Sequence, residues 1–294
     1  MSQHVFGAIL TPLGTAANNR GENEGNVTTL QKLVWNGQVH TTVSAESIRF
    51  ALRRRLAESE PTNRSWDDVE RRNAWEDPTF KRWEGKSKEV PYIDDDLLGF
   101  MSAEGGKEEG EKGTTKVRRA VLELSRAVSL TPWPGDVTFN AASPGATPSA
   151  QKKGSNPVPY GTEMHATRYQ YGFALTPEKL REKKRARTAV EGLCNLGEVA
   201  GNHGRFLFDF SPESIVFRIT PDPAPRVLYA FGIRSDGTIH LDDLARKVAA
   251  GDIAAEELVI GGAVVTDELK KKLPKIAWHD GVKAACKAAC EKLA

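Results

Sequence analysis

The sequence predicts an α+β fold built in ferredoxin-like order, and three observations carry that expectation. Short apolar runs end repeatedly at Thr-Pro, Gly or Asn, as strands do. Two helix patterns, at residues 44–57 and 177–195, fall between those runs. The resulting succession is strand, helix, strand, strand, helix, strand, which is also the order of RNA-recognition-type domains.

The elements follow in turn. His4 to Leu10 (HVFGAIL) is apolar throughout and stops at Thr11-Pro12, so it opens the chain as a strand. Gly14 to Asn26 has no period and reads as a loop. Ser44 suits a helix N-cap, Glu46 suits the first turn, and Ile48, Ala51, Leu52 and Leu56 recur at helical spacing. Arg49 and Arg53, one turn apart and joined by Arg54 and Arg55, suit phosphate; a solvated helix face is the plainer reading of the same pattern. Residues 60–118 read as an insertion, in which the tract Gly105 to Gly113 (GGKEEGEKG) cannot pack a core.

A strand is expected at Ala120 to Leu130. Residues 134–161, rich in Pro, Gly, Ser, Ala and Asn with Lys152 and Lys153 among them, read as a protruding hairpin or arm. Its base is the strand His165 to Leu175, where Tyr169, Tyr171 and Phe173 alternate onto one face. Pro177 sits at the first position of a helix expected to run through the basic block Lys179 to Arg187 as far as Asn195. The glycine-rich loop Gly197 to Arg205 leads to strands at Phe206 to Phe210, Ser214 to Thr220 and Val227 to Ile233. A helix near Leu241 to Ala249, a strand near Leu258 to Val265, and helices after Thr266 and Gly281 complete the chain.

Bulk properties narrow the function. The 294 residues suffice to bury a core without disulfides or metal. Forty-one basic side chains face 39 acidic ones, a formal charge of +2, so any site for a polyanion must come from local segregation of charge. Three cysteines, Cys194, Cys286 and Cys290, give an odd count. No stretch approaches the ~20 apolar residues of a membrane span. The expectation is a cytoplasmic protein.

Four blocks in order resemble the DevR-type branch of the CRISPR backbone subunits, with a type I-B-like character. They are Asn18 to Gly25 with the helix Ser44 to Arg53; Asp94 to Met101 (DDDLLGFM); Pro157 to Phe173 (PVPYGTEMHATRYQYGF); and Gly201 to Ile215 (GNHGRFLFDFSPESI). The resemblance extends over about residues 4–233. The resemblance implies a right-hand shape. A discontinuous RNA-recognition-like palm would comprise residues 1–59, 119–136 and 166–233. Residues 60–118 would form fingers, 137–165 a thumb hairpin, and 234–294 a C-terminal α/β extension of the palm.

It also implies a non-catalytic subunit that needs no cofactor or metal and polymerises head to tail along a guide RNA. The implied partners are that RNA, further copies of the chain in a helical filament, other subunits of the surveillance complex, and target DNA paired with the guide; no membrane is involved. Recognition indifferent to sequence requires phosphate and 2′-hydroxyl contacts rather than base edges. The residues expected to make them are Asn18, Arg20, Ser44, Arg49, Arg53, Lys152, Lys153, Met164, His165, Asn202, His203 and Arg205.

Rival chemistries have fewer residues behind them. Asp94, Asp95 and Asp96 would suit a magnesium ion, or a polar turn capping the apolar residues after them. His279, Cys286 and Cys290 would suit zinc, but their spacing fits no zinc pattern, while Val282, Cys286, Ala289 and Leu293 form a helix stripe for core packing. His40, His165 and His203 would be the acid-base groups of a ribonuclease, yet none has a recognisable partner set. A regulator bound to duplex DNA at its own operon is the other alternative, with no helix-turn-helix in view.

Overall fold

The computed structural model describes residues 2–17, 23–104, 114–146, 156–199 and 207–293. It is a mixed α+β structure in which one large sheet organises everything else. Strand β1 (His4–Leu10) lies at its centre because it has two apolar faces to cover. Short strands β2 (Gly14–Ala17), β3 (Asn23–Glu24) and β4 (Val27–Thr28) lead to the hairpin of β5 (Lys32–Trp35) and β6 (Gln38–Val43). Helix α1 (Ala45–Leu56) follows.

Residues 60–118 contain the hairpin β7 (Arg64–Asp67) and β8 (Arg72–Trp75), the short helix α2 (Ile93–Leu98), and the hairpin β9 (Phe100–Glu104) and β10 (Thr114–Arg118). The chain returns to the large sheet through β11 (Leu122–Leu124) and β12 (Ala127–Ser129). It then leaves in the arm of β13 (Val137–Ala142) and β14 (Val158–Thr167), and re-enters as β15 (Tyr169–Leu175). Helix α3 (Arg185–Cys194), β16 (Ser214–Thr220), the small hairpin β17 (Gly232–Ile233) and β18 (Ile239–His240), α4 (Asp242–Ala249), β19 (Leu258–Gly262), α5 (Asp267–Lys272), β20 (Ala277–His279) and α6 (Val282–Glu291) complete it.

The strand order is β20-β19-β16-β1-β15-β12-β6-β5, with β11 also paired to β15. Alternation along β1 splits its side chains between two cores. Val5 and Ile9 join Tyr171, Phe173, Ile215 and Phe217 under α1, α2, α3 and α6. Phe6, Ala8 and Leu10 join Val216 and Ile260 beneath Val227, Phe231, Leu241 and Leu244. Gly7 stands opposite Phe173, whose ring lies over it; a Cβ there would come within 2.1 Å of the ring.

Several expectations change in the structure. Gly14–Ala17 is a strand rather than loop, because its backbone pairs with Met164 to Thr167 of β14. The expected strand at 120–130 is two pieces, separated where Ser125 bonds Gly172 through both its amide and its hydroxyl. The strand expected from His165 divides at Arg168, with β14 serving the arm and β15 the large sheet. The helix expected from Pro177 becomes a 3-10 turn at Pro177–Lys179 and a helix only from Arg185. Residues 207–210 are not a strand; Phe208 is buried edge to face against Tyr169, and Phe210 is buried stacked on Tyr171. Of Val227 to Ile233 only the last two residues pair, since Arg226 and Tyr229 adopt positive φ.

Candidate nucleic-acid interface

Helix α1 begins where Ser44, in an extended conformation, accepts the Ser47 amide hydrogen at 3.2 Å. Ser44 is thereby a cap as well as an expected contact. Ile48, Leu52 and Leu56 face the core, which turns Arg49 and Arg53 toward α2. Arg49 Nη2 donates to the Leu98 carbonyl, and Arg53 Nε donates to Asp94 Oδ2 at 3.1 Å. The plainer expectation of a solvated face does not hold for these two side chains, because α2 packs beside them. Arg54 and Arg55 are the exposed pair.

The three aspartates are neither a metal cage nor a surface turn. All lie buried in α2, Asp94 and Asp95 turned to Asn63 and Asp96 to the 181–185 segment. Asp94 accepts the Asn63 amide (2.7 Å) and the Arg64 amide (3.1 Å) besides Arg53. Asp95 accepts the Asn63 side-chain amide at 2.9 Å. Burial and then the Asp94 charge push its carboxyl up to about 7. Asp96 accepts the amides of Arg181 (3.0 Å) and Glu182 (3.1 Å) and a guanidinium hydrogen of the buried Arg185 at 3.1 Å. Those amides are held outside a helix, which explains the late start of α3. Among the described residues, no cluster of three or more His, Cys, Asp or Glu side chains is arranged for a metal ion.

The base of the arm is a buried polar chain. His165 Nδ1 lies 2.7 Å from Thr41 Oγ1, which lies 2.9 Å from the Tyr169 hydroxyl. His165 Nε2 faces Thr131 Oγ1 at 3.3 Å. Burial pulls His165 down to about 4, so the ring is neutral at pH 7. Met164 is half-buried, its amide bonded to the Asp136 carbonyl and its own carbonyl to Trp133 Nε1. His40 is buried with Nδ1 2.7 Å from the Ser129 carbonyl. One level up, the carboxylate of buried Glu163 receives the Leu30 amide (2.7 Å) and Lys32 Nζ (2.6 Å), and Lys32 lies over the Trp133 ring. These bonds set the arm on the large sheet.

Asn18, Arg20, Lys152, Lys153, Asn202, His203 and Arg205 lie outside the described residues, as does the tract 105–113. Cys194, Cys286 and Cys290 are all buried in the core between α3 and α6, in keeping with the helix stripe. Hydrogen bonding from Cys194, with burial, pushes the Cys286 thiol up to about 12.

Sequence reasoning did not find the groove between α1 and the β7–β8 hairpin. It is lined by Phe50, Arg53, Arg54, Arg64, Trp66 and Asn73. Phe50, Arg53 and Arg54 share a helix face through their spacing of three and four, and that was a legible signal. Nothing local pairs that face with Trp66.

The relatives of the chain agree with one another. The profile of the family described as "CRISPR-associated negative auto-regulator DevR/Csa2" matches residues 13–180. A "CRISPR-associated protein Cas7/Cst2/DevR" from Myxococcus xanthus (strain DK1622) is 72% identical over 297 residues, covering 100% of this chain and 98% of that protein. Two solved chains share the fold at low identity. One, from a "CRISPR RNA-guided surveillance complex", has a TM-score of 0.58 at 16% identity and covers 98% of this chain and 99% of its own. The other, from a "CRISPR RNA-guided surveillance complex, pre-nicking", has a TM-score of 0.59 at 14% identity and covers 99% and 100%. A profile spanning more than half of the sequence, and a relative with nearly three residues in four unchanged along its whole length, make this chain a member of the DevR/Csa2 family of CRISPR-associated proteins.

Proposed function

We propose that this chain is a non-catalytic backbone subunit of a CRISPR surveillance complex, which holds the guide RNA by its sugar-phosphate chain and leaves the bases open to target DNA. The observation that carries this reading is the coextensive fold shared with chains of RNA-guided surveillance complexes, end to end rather than over a common core alone. The order β16-β1-β15-β11, with α1 and α3 as the crossovers, supports a ferredoxin-like palm. The β13–β14 arm supports a thumb over residues 137–165. Residues 60–118 are the fingers, although α2 is rooted in the palm core. Residues 234–294 extend the sheet through β19 and β20.

The physics of the task fits such a scaffold. Every guide differs, so affinity must come from phosphates and ribose. Head-to-tail contacts that do not close give a helical filament, and many weak contacts on one strand give avidity. Asn18, Arg20, Lys152, Lys153, Asn202, His203 and Arg205 are the remaining contact candidates, with Ser44, Arg49, Arg53, Met164 and His165 shaping the scaffold that presents them. Among the described residues a ribonuclease reading has little support, since His40, His165 and the three aspartates are bonded within the protein; His203, the third histidine of that reading, lies outside them. No helix among the described residues is long and apolar enough to cross a membrane; the cytoplasm is the compartment that the proposed role implies.

The test is copurification of the tagged chain from its host. A small RNA of uniform length in a multi-copy assembly is the expected result; a bare chain overturns the reading. Because the family description includes negative autoregulation, duplex DNA from the protein's own operon is the control ligand. Tighter binding to that duplex than to single-stranded RNA would favour the regulator.

A further inference from the structure

The groove between α1 and the β7–β8 hairpin has the features of a nucleotide site. It consists of two adjoining depressions of 200 and 410 Å³ that share Phe50, Arg53, Arg64, Trp66 and Asn73. Phe50 and Trp66 meet edge to face with ring centroids 6.4 Å apart, and Trp66 remains 38% exposed. An indole held on one side and open on the other is a stacking platform.

The cations around it are under-neutralised. Arg53 shares the buried Asp94 with two backbone amides. Arg64 lies over the Trp75 ring, and its buried Nε has no hydrogen-bond partner among the described residues. No carboxylate among the described residues pairs with Arg54, which is exposed at the same rim. Glu46 and Asp68 also line the groove, one in each depression. Burial first, and then the Arg53 charge, makes protonation of Arg64 harder.

We propose that this groove takes one unpaired nucleotide of a single strand, its base on Trp66 and its phosphate on Arg54 and Arg64. The proposal rests on the RNA-binding reading above and adds a site to it. An acidic peptide would use the guanidiniums but leave the open indole without a purpose; a nucleotide uses both.

The test compares the full chain with Trp66→Ala, Trp66→Phe and Arg54→Gln by fluorescence anisotropy, using short oligouridine and oligodeoxythymidine over a series of salt concentrations. Trp66→Ala is expected to weaken binding about tenfold with the salt slope unchanged, and Trp66→Phe to recover most of it. Arg54→Gln is expected to reduce the slope by about 0.7. A loss confined to oligouridine assigns the groove to the guide, one confined to the deoxy strand to displaced or target DNA, and an equal loss to any single strand. Wild-type affinity and slope in Trp66→Ala and Arg54→Gln together overturn the proposal while the RNA-binding reading stands. Competition by oligoglutamate as effective as by oligouridine also overturns it, in favour of an acidic protein segment. If the unmodified chain binds neither oligonucleotide, both readings fall.

Discussion

Asp96 accepts the backbone amides of both Arg181 and Glu182, and that contact decides where a helix begins 89 residues away, at Arg185. Asp94 ties the 60–118 segment to Arg53 of α1, Asp96 ties it to Arg185 of α3, and Asp95 between them binds Asn63 within the segment itself. A run that looks like a metal site in one dimension is, in three, a buried junction.

That junction predicts a large cost for Asp94→Ala. Asp94 is 2% exposed and accepts two amides and one guanidinium hydrogen. Removing it leaves Arg53 without its partner and two amides unsatisfied, which costs about 3–5 kcal/mol. Urea unfolding checks this. A loss below about 1 kcal/mol would mean that water replaces the carboxylate.

Asp95 predicts a pH dependence of opposite origin. Its folded pKa, about 7, lies above the unfolded value of 3.8, so the folded state holds the proton more tightly. Its favourable contribution is full below pH 3.8 and is lost as pH rises through about 7. Asp95→Asn keeps an acceptor for Asn63 without a charge. The stability of Asp95→Asn relative to the parent is expected to rise from pH 4 to pH 7 and then level off. Melting temperatures across that range measure it, and a flat difference refutes it.

His165 works the other way. Its folded pKa, about 4, lies below the ordinary 6.5, so its contribution is full above pH 6.5 and is lost as pH falls toward 4. Burial is the main cause; a hydrogen bond to the Pro132 backbone and the Asp136 charge favour protonation while His40 opposes it, and Thr41 and Thr131 also face the ring. His165→Gln should lose some stability at pH 7.5 and show less acid sensitivity than the parent. Because Asp95 and His165 titrate over overlapping ranges with opposite signs, only the single variants separate them.

The two central strands predict a compensating pair. Gly7→Ala places a methyl group 2.1 Å from the Phe173 ring, and overpacking of that kind costs about 1–3 kcal/mol or more. Phe173→Leu alone opens space. In the double variant the ring is gone, so the two costs should add to less than their sum in a double-mutant cycle of denaturant midpoints. Simple additivity would show that the backbone shifts instead.

Local pattern carried much of this fold into the sequence, and the exceptions share a cause. Helix α1 was legible because its cap, Ser44, and its stripe, Ile48 to Leu56, lie within thirteen residues. β1 and β16 were legible as unbroken apolar runs. β2 was not, because GTAA has no strand signature and pairs with residues about 150 positions later. The delay of α3 was not, because Asp96 lies in another segment. Phe208 and Phe210 looked like alternate strand residues, yet pack on Tyr169 and Tyr171, one edge to face and one stacked, without any ladder. At the candidate site, the arginines of α1 were legible as a cluster. Which of them face α2 and which face the open groove depends on the 60–118 segment, and no local period encodes that.

The arm offers the most direct test of the backbone role. β13 and β14 pair from Val137↔Glu163 out to Ala142↔Val158, and the Glu163 end is anchored by Leu30 and Lys32. Replacing residues 143–157 by Asn-Gly closes the hairpin just beyond its last pair with a turn that suits two antiparallel strands. Every described contact at the arm's base survives, so the melting temperature should stay close to that of the parent. Lys152 and Lys153 go with the deleted segment. If the arm reaches over the RNA of a neighbouring copy, the shortened chain should still bind single-stranded RNA but lose the regular spacing of protected nucleotides along a long guide. Nuclease footprinting reads that spacing directly. Unaltered periodic protection on the shortened chain would remove the arm from the interface between copies and leave the large sheet and its loops to carry the RNA alone.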